Sequence, residues 1–383
     1  MNAVDPTPGA YPDSWVERVV FLPDGRKHLM VVDAAATDPL SRSYLLSPEI
    51  ATNSYLVKVL LALTDPGDRV LDLGAFLGEF ALAAATHGCD VVAVEANPNL
   101  AALLTASAEL NRFSRLRVVN AAVGDGTGTV TFAPHGPWGQ VRSNTNLGTD
   151  GDVTVDQVTV DELVASLEWE SVEFVKLDVE GSEMNALAGA TPLLTRPDAP
   201  SLLFESNIVR LMELGTEPRR LLETVEGFGY VLYRILPTEI VQCQSDDFQA
   251  EAVADYIALK GMTLADVGLA ARRPLTASET ATRILAEARH APVPQRQALA
   301  WQLQFAGSEL IDHPSVLQAL WELRDDPDLL VRTALEATLA ALLPEVETRL
   351  SRYVPNQAAR PRTTGVLRRR LTRRARRMVG RDH

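Results

Sequence analysis

One segment, residues 69–97, constrains the fold of this chain more than any other. It reads RVLDLGAFLGEFALAAATHGCDVVAVEAN, in which an apolar β-branched run at Val70–Leu71 leads through a glycine turn and a helical stretch of small residues to a second apolar run at Val91–Val94. This order predicts a β-α-β unit with a ligand-binding turn after its first strand. The turn is spaced Gly-x-x-x-Gly and lacks the closely set glycines that bring a dinucleotide pyrophosphate onto a helix N-terminus. A polyphosphate ligand is therefore disfavoured.

The charge pattern around this turn favours a cationic ligand. Residues 70–111 contain no lysine or arginine, and their acidic residues are Asp72, Glu79, Asp90, Glu95 and Glu109. An acidic field of this kind suits the sulfonium and ammonium groups of S-adenosylmethionine better than a polyphosphate. We therefore predict S-adenosylmethionine as the cofactor.

Three residues of the β-α-β unit have specific predicted roles. Gly74 and Gly78 are predicted to let the backbone approach the amino-acid and ribose parts of the cofactor, because a Cβ would occupy that space. Glu95, at the C-terminal end of the second strand, is predicted to accept both hydrogens of the ribose diol. Taken alone, Gly-x-x-x-Gly is equally typical of a plain tight turn, and it is the position of Glu95 that favours a nucleoside site.

Length and composition predict two globular parts. With 383 residues, 46% of them hydrophobic and 22% charged, the chain is long enough for one large α/β domain and a smaller one. The predicted fold class is α/β with a mostly parallel sheet, an N-terminal hairpin and a C-terminal all-α region. The predicted segments are a disordered leader (1–15), a catalytic α/β domain with the hairpin (16–262), a helical domain of HEAT-like or small-bundle type (263–354) and an Arg-rich tail (355–383).

Local patterns predict further elements of the catalytic domain. Ser47-Pro48-Glu49 is typical of a capped helix start, and this helix is expected to reach about residue 64. Glycines in 124–128 predict a hairpin between two short strands, and residues 134–151 form a long polar loop that we expect to cover the substrate site. Residues 230–242 predict a terminal hairpin that adds one antiparallel strand to the sheet.

Cysteine content and the N-terminal sequence predict a cytoplasmic protein. The two cysteines, Cys89 and Cys243, lie far apart and fit no metal-binding spacing. The first residues, MNAVDPTPGAYPDS, have neither the basic region nor the apolar core of a signal peptide. No apolar run approaches the length needed to cross a bilayer.

A second cluster of candidate functional residues follows a later strand. The segment KLDVEGSE places Asp178, Glu180 and Glu183 at the end of a buried strand, and Glu205 ends the next one. Side chains at the carboxyl ends of open-sheet strands lie in the ligand crevice. One of these carboxylates can accept the proton of an attacking hydroxyl, or two can hold a divalent metal that lowers the pKa of that hydroxyl.

The spacing does not choose between these two uses. Glu180 and Glu183 can also simply complement a helix N-terminus. Lys176, within the strand, can form an ion pair with a neighbouring acid or contact the substrate. We hypothesise Asp178 as base or metal ligand, supported by Glu180 and Glu205; a divalent metal is compatible with these carboxylates but is not predicted.

Together these segments resemble the FkbM-type methyltransferases, and the Lys-x-Asp-x-Glu-Gly-x-Glu block is the most specific part of the resemblance. The match runs in order from about residue 45 to 235, through Glu49, Asp72-Leu-Gly-Ala-Phe-Leu-Gly78, Glu95-Ala-Asn-Pro98, Leu110-Asn111, Asn120-Ala-Ala-Val-Gly-Asp125, Thr159-Val-Asp-Glu-Leu163, Lys176-Leu-Asp-Val-Glu-Gly-Ser-Glu183, Gly189-Ala190 and Phe204-Glu205. The resemblance implies a class I methyltransferase (Rossmann-like) fold, S-adenosylmethionine as methyl donor, and a hydroxyl acceptor on a sugar, glycolipid or polyketide-like metabolite.

The resemblance also assigns residues. It implies that Asn120 and Ala121 flank the adenine and that Asp178 faces the methyl group. The family commonly has Asn where this chain has Phe76, which removes a polar contact beside the cofactor. The predicted catalytic set is Asp178, Glu180 and Glu205. The predicted cofactor-binding set is Glu49, Asp72, Gly74, Ala75, Phe76, Gly78, Glu95, Ala96, Asn97, Asn120 and Ala121.

The net charge of −14 conceals a basic C-terminal tail. Residues 355–383 contain ten arginines against one acid, so the tail carries about +9 and the rest of the chain about −23. Apolar residues among the arginines fall near one helical face, and residues 360–381 therefore predict a basic helix in peripheral contact with an anionic membrane. Nucleic acid is not predicted as a partner, because the rest of the chain is acidic and shows no recognition module. The alternative is a tail that folds back on its own acidic domain.

Two functions remain open at this point. The first is an O-methyltransferase for a small-molecule or glycan acceptor, cytoplasmic or at the inner membrane surface. The second is a non-catalytic methyltransferase-fold binding or scaffold protein that uses its helical domain and basic tail.

Overall fold

The computed structural model describes residues 11–51, 55–135, 139–142, 151–236 and 239–341. These divide into two compact units, an α/β unit of residues 11–247 and 253–274 and a helical unit of residues 248–252 and 275–341. Most of the expected leader and the whole Arg-rich tail lie outside the described residues. Within the described part of the chain, none of the helices combines the length and apolar character that a bilayer crossing requires.

A small N-terminal sheet contains β1 (Trp15–Phe21), β2 (Lys27–Asp33) and β3 (Glu49–Ala51), in the order β2-β1-β3, with helix α1 (Pro39–Ser43) before β3 and helix α2 (Tyr55–Leu63) after it. β1 and β2 form the predicted hairpin. The helix start predicted at Ser47 is wrong, because Glu49 pairs in parallel with Val19, whose amide donates to the carbonyl of Pro48 at 2.9 Å. Pairing with a neighbouring strand thus outweighs the local capping signal.

The later strands are, in chain order, β4 (Arg69–Leu73), β5 (Asp90–Glu95), β6 (Leu116–Asn120), β7 (Ala122–Val123), β8 (Gly128–Ala133), β9 (Gln140–Val141), β10 (Val153–Val158), β11 (Phe174–Leu177), β12 (Ser201–Asn207), β13 (Val231–Leu236), β14 (Glu239–Cys243), β15 (Val253–Leu259) and β16 (Ala271–Arg272). Nine of them form the central sheet, in the order β16-β14-β13-β15-β12-β11-β4-β5-β6. The strands from β12 to β6 run parallel to one another, so the predicted α/β class with a mostly parallel sheet is confirmed.

The antiparallel part of the sheet is larger than the sequence predicts. β13 and β14 form the expected terminal hairpin, but β15 lies between β12 and β13 and is antiparallel to both. The sequence analysis did not predict β15. Its seven residues, VADYIAL, follow the hairpin that was expected to end the sheet.

A second sheet of four short strands, in the order β7-β10-β8-β9, carries the polar loop region. The hairpin predicted across residues 124–128 is wrong, because β10 lies between β7 and β8 and pairs with both. The loop expected to cover the substrate site (134–151) lies largely outside the described residues. Its described part includes β9, which pairs with β8.

Helices cover both faces of the central sheet, as a buried parallel sheet requires. Alternate residues of β4 show this: Val70 belongs to one buried apolar cluster, and Leu71 and Leu73 to the other. The N-terminal sheet and α2 to α4 cover the first face, and α5 to α7 and α9 cover the second. The helices are α3 (Glu79–His87), α4 (Pro98–Leu110), α5 (Val160–Ser166), α6 (Glu183–Ala188), α7 (Thr191–Thr195), α8 (Ile208–Glu213) and α9 (Pro218–Gly227).

The helical unit contains α10 (Ala277–His290), α11 (Val293–Gln302), α12 (Ser308–Ile311), α13 (Pro314–Arg324) and α14 (Leu329–Ala341). It begins at residue 275, later than the boundary of 263 expected from the sequence, because β16 pairs with β14 and keeps the chain in the α/β unit up to residue 274. The five residues 248–252 also belong to the helical unit, and Ala250 is buried in its core.

The segment Asp328-Leu-Leu-Val-Arg332 forms the end of the turn between α13 and α14 and the start of α14. Asp328 Oδ1 accepts a hydrogen bond from the amide of Leu330 at 2.8 Å, and Arg332 Nη1 donates to the carbonyl of Pro327 at 2.9 Å. Val331 is fully buried. The turn therefore caps α14 and anchors its first apolar residue.

We expect Asp328→Ala to lower the free energy of unfolding of the helical unit by about 1 kcal/mol, because the first turn of α14 loses its side-chain cap. Differential scanning calorimetry measures this loss. Asp325→Ala, an exposed aspartate three residues earlier, is the matched control and should leave unfolding unchanged. Equal unfolding curves for the two variants would contradict the cap.

Candidate functional site

A cavity of about 270 Å³ lies at the carboxyl ends of the central parallel strands. Its lining comes from the turn after β4, the end of β5, the segment after β6, and the ends of β11 and β12. The predicted site residues that line it are Gly74, Ala75, Phe76, Glu95, Ala96, Ala121, Asp178, Glu180 and Glu205. The fold thus brings together residues from both motif clusters of the sequence.

The glycines of the first turn are needed for protein packing. Gly74 has φ of +78°, and a Cβ on it would lie 1.8 Å from the carbonyl oxygen of Asp178. Gly78 has φ of +86°, and a Cβ there would lie 2.1 Å from Leu104 Cδ1. Left-handed backbone and these contacts together exclude a side chain. Gly74 also lines the cavity, whereas Gly78 does not.

Phe76 adopts a left-handed conformation, with φ of 52°, and its amide donates to Glu95 Oε2 at 2.8 Å. Asn tolerates this backbone region better than most residues. The Asn that is common at this position therefore has a conformational advantage besides any contact with a cofactor. Phe76 keeps the backbone hydrogen bond and presents a half-buried ring to the cavity.

Glu95 is buried and connects the turn to the second strand. Its Oε2 accepts from the amide of Phe76, and its Oε1 accepts from the amide of Asn97 at 2.7 Å. Burial raises the pKa of this carboxyl, while the two backbone hydrogen bonds oppose the shift. Each oxygen retains a second lone pair, so Glu95 can shape the turn and still accept hydrogen bonds from a ligand.

Four other predicted cofactor residues do not line the cavity. Asp72 is fully buried and accepts from the amide of Ala81 at 2.9 Å. Asn97 caps α4, and Asn120 Nδ2 donates to the carbonyl of Glu95 at 2.8 Å. These three residues support the elements that form the cavity. Glu49 is exposed in β3, and its predicted role beside the cofactor has no support in this geometry.

The carboxylates of Asp178, Glu180 and Glu205 meet at the other end of the cavity. One oxygen from each lies within 4.8 Å of the others. They meet there because β11 and β12 are parallel neighbours and Asp178 directly follows β11. Three oxygen ligands at this spacing can hold a hard cation such as Mg²⁺. The sequence analysis predicts none.

Glu183, the fourth acid of the segment, has a structural role. It is 1% exposed and does not line the cavity, and its Oε1 accepts from the amides of Val179 and Gly181, both at 3.1 Å. Burial raises its pKa to about 7. Glu183 therefore braces the turn before α6, which differs from the helix N-terminus role that the sequence offered as an alternative.

Two of the cavity carboxyls, those of Glu180 and Glu205, hold protons more tightly than ordinary acids. Burial, and then the charge of Asp178, raise the pKa of Glu180 to about 8 against an ordinary value of 4.5. The same two causes raise the pKa of Glu205. Burial raises the pKa of Asp255, on the neighbouring β15, to about 6. A cation brought close to Glu180 favours release of its proton.

This shift predicts a pH dependence of stability. Because the folded-state pKa of Glu180 is raised from 4.5 to about 8, its contribution to stability is complete below pH 4.5 and is lost as the pH rises through 8. Glu180→Gln stays neutral, so the free energy of unfolding should fall less between these pH values than in wild type. Urea unfolding at several pH values measures the slope.

Glu213→Gln is the matched control. Arg210 pairs with Glu180 at 3.5 Å and with Glu213 at 3.0 Å, and Glu213 is 46% exposed. This control variant should keep the wild-type slope. A wild-type slope in Glu180→Gln would show that Glu180 is ionised in the folded protein at neutral pH.

Several lining residues were not foreseen from the sequence. Leu40 reaches the cavity from α1, and Glu79, whose Oε2 accepts from the hydroxyl of Tyr44 at 3.2 Å, lines it beside Phe80. Gly139 and Val141 line it from the polar loop. His135, in the same loop, is exposed and is not a lining residue. No local sequence pattern predicts that α1 contributes Leu40 to the cavity, because this contribution depends on how the N-terminal sheet packs.

The part of the chain that carries this cavity is similar in sequence to known proteins. A family model, the methyltransferase FkbM domain, matches residues 72–232. The hexuronic acid methyltransferase AglP of Haloferax volcanii is 28% identical over 141 residues, which are 36% of this chain and 56% of AglP. The chain thus spans about half the length of this curated relative.

Two methyltransferases are among the solved structures that the chain matches. Precorrin-6y C5,15-methyltransferase from Geobacter metallireducens GS-15 has a TM-score of 0.33 at 11% identity, covering 55% of this chain and 90% of that one. The 16S rRNA N2 G1207 methyltransferase of T. thermophilus has a TM-score of 0.34 at 17% identity, covering 66% of this chain and 52% of that one. The family model confirms the resemblance to FkbM-type methyltransferases that the sequence indicated.

Proposed function

We propose that this chain, whose residues 72–232 form a domain of the FkbM methyltransferase family, is an S-adenosylmethionine-dependent O-methyltransferase. The acceptor class that we propose is a hydroxyl on a sugar, glycolipid or polyketide-like metabolite. The observation that carries the proposal is one cavity that joins the turn after β4 to the carboxylate cluster of Asp178, Glu180 and Glu205.

The donor end of the cavity suits a cationic nucleoside. Glu79 and Glu95 line it, and Glu95 has lone pairs left for a ribose diol. Ala96 and Ala121 offer small apolar surfaces for a flat base. S-adenosylmethionine, when bound, supplies a methyl group already activated by its positive sulfur.

The acceptor end has to orient a hydroxyl and remove its proton. Asp178 is the proposed base, because its side chain is 34% exposed while Lys176 pairs with one of its oxygens at 3.2 Å. The acceptor oxygen forms its bond to the methyl carbon as its proton passes to the carboxylate, and the carbon–sulfur bonding pair remains on sulfur. Glu180 and Glu205 support the base by accepting hydrogen bonds from the acceptor.

The relative AglP supports a sugar acceptor within this class, because its name specifies hexuronic acid. The proposal for this chain rests on the shared domain and is not extended to hexuronic acid itself.

Two measurements test the function. Isothermal titration with S-adenosylmethionine should show binding, and incubation with methyl-labelled S-adenosylmethionine and metabolite extracts of cells that express the protein should give a product heavier by one methyl group. Mass spectrometry identifies that product. Absence of S-adenosylmethionine binding would contradict the proposal and favour the scaffold alternative.

A further inference from the structure

Lys176 is a buried lysine between the two ends of the cavity. It lies in β11 directly opposite Asp72 of β4, and its side chain is 8% exposed. Its Nζ donates to the carbonyl oxygen of Gly74 at 2.6 Å. The same Nζ lies 3.2 Å from Asp178 Oδ2 and 3.6 Å from Asp72 Oδ1.

These contacts surround the ammonium group with protein oxygens. The carbonyl oxygen of Gly74 and Asp178 Oδ2 lie within hydrogen-bond distance of Nζ, whereas Asp72 Oδ1 interacts with it as a more distant opposite charge. Burial lowers the pKa of Lys176, but the carboxylates of Asp178 and Asp72 raise it more, so the net shift is upward and the group stays charged. The ammonium group is therefore held mainly by protein oxygens.

Lys176 therefore acts through its partners. Its contact with Asp178 Oδ2 fixes one oxygen of the proposed base, which leaves Oδ1 for the acceptor. Its bond to Gly74 connects this carboxylate to the turn that borders the donor end of the cavity. One side chain thus links the two ends.

We propose that Lys176 is a positioning residue, which holds Asp178 oriented toward the acceptor and ties it to the turn at Gly74. This inference rests on the proposed methyl transfer. It assigns Lys176 to the ion-pair role, one of the two roles that the sequence left open.

Lys176→Met tests the inference, because methionine keeps the unbranched stem and removes the charge. We expect the rate of methyl transfer, measured with the labelled donor and cell extract, to fall about 10- to 100-fold, since the base loses its orientation. S-adenosylmethionine should bind as tightly as in wild type or several-fold more tightly, because a positive charge has been removed near a cationic ligand. S-adenosylhomocysteine, which lacks the sulfonium charge, should bind unchanged.

A purely structural role gives a different pattern. Collapse of the turn at Gly74 would weaken both ligands together with the rate, and this result would overturn the inference. A wild-type rate in folded Lys176→Met would overturn it as well. Lys260→Met is the matched control, because Lys260 also donates to a backbone carbonyl, that of Leu194 at 3.2 Å, and lies over an aromatic ring. It should change neither rate nor affinity.

Removing Lys176 alone leaves Asp72 buried without its cation, which can unfold the variant. The double variant Asp72→Asn/Lys176→Met removes both charges, and Asp72→Asn alone is its reference. Relative to Asp72→Asn, the double variant should lose methyl-transfer rate by the same factor that Lys176→Met loses relative to wild type, and it should still bind both ligands. A rate equal to that of Asp72→Asn would overturn the inference. If wild type binds S-adenosylmethionine but transfers no label, the proposed function fails. The ratio of the affinities for S-adenosylmethionine and S-adenosylhomocysteine, compared between wild type and Lys176→Met, still reports on the charge of Lys176.

Discussion

Asp178→Asn should reduce methyl transfer by about 10²- to 10⁴-fold, the range expected when a general base is lost. The amide keeps the size of the side chain but cannot take the hydroxyl proton. Donor binding should weaken only a few-fold, because one of several cavity carboxylates has been neutralised. Label transfer from S-adenosylmethionine into cell extract measures the rate, and isothermal titration measures the affinity.

Asp198→Asn is the control for this substitution. Asp198 pairs with Arg196 on the surface of the same unit, with 60% of its side chain exposed, so its loss should change neither quantity. Wild-type transfer by Asp178→Asn would remove Asp178 from the mechanism. A parallel loss of donor affinity would assign it to binding.

Glu95→Gln should weaken binding of S-adenosylmethionine by about 10- to 100-fold, because hydrogen bonds to a charged group contribute about 1.5–3 kcal/mol. The amide nitrogen of glutamine must also face one of two backbone donors, Phe76 N or Asn97 N, and cannot accept from it. The turn that borders the cavity is therefore disturbed together with the ribose contact.

S-adenosylhomocysteine separates this effect from simple loss of charge. It shares the ribose but lacks the positive sulfur, so Glu95→Gln should weaken both ligands by a similar factor. Glu109→Gln, an exposed acid on α4, should leave both affinities unchanged. If only S-adenosylmethionine loses affinity, Glu95 acts through its charge and the proposed ribose contact is wrong.

The sequence predicted the parts of the site that depend on local pattern. The unit β4-α3-β5 has the expected order, and Glu95 and Asp178 both line the cavity, because parallel strands bring their carboxyl ends to one edge of a sheet. Such features follow from hydrophobic periodicity and chain order alone.

Features that depend on pairing between distant segments were not predictable in this way. β15 lies between β12 and β13, and β10 lies between β7 and β8. The residue pattern of β15 or β10 does not indicate which strands it will pair with. Gly74 was interpreted as making room for a ligand, whereas the carbonyl oxygen of Asp178, about a hundred residues later, excludes its side chain. The role of Lys176 became visible only when Asp72 and Gly74 were placed beside it.

Residues 248–252 belong to the helical unit although they lie within the sequence of the α/β unit. This arrangement limits where the chain can be cut to separate the two units. A domain simply appended to an enzyme would begin after the final strand, and deleting it would leave the enzyme intact. Here Ala250 is buried among side chains of residues beyond 274. Truncating the chain after residue 274 therefore exposes apolar surface on the segment 248–252 that is left behind. The helical unit is accordingly interleaved in sequence with the α/β unit, and a cut at residue 274 divides the helical unit itself.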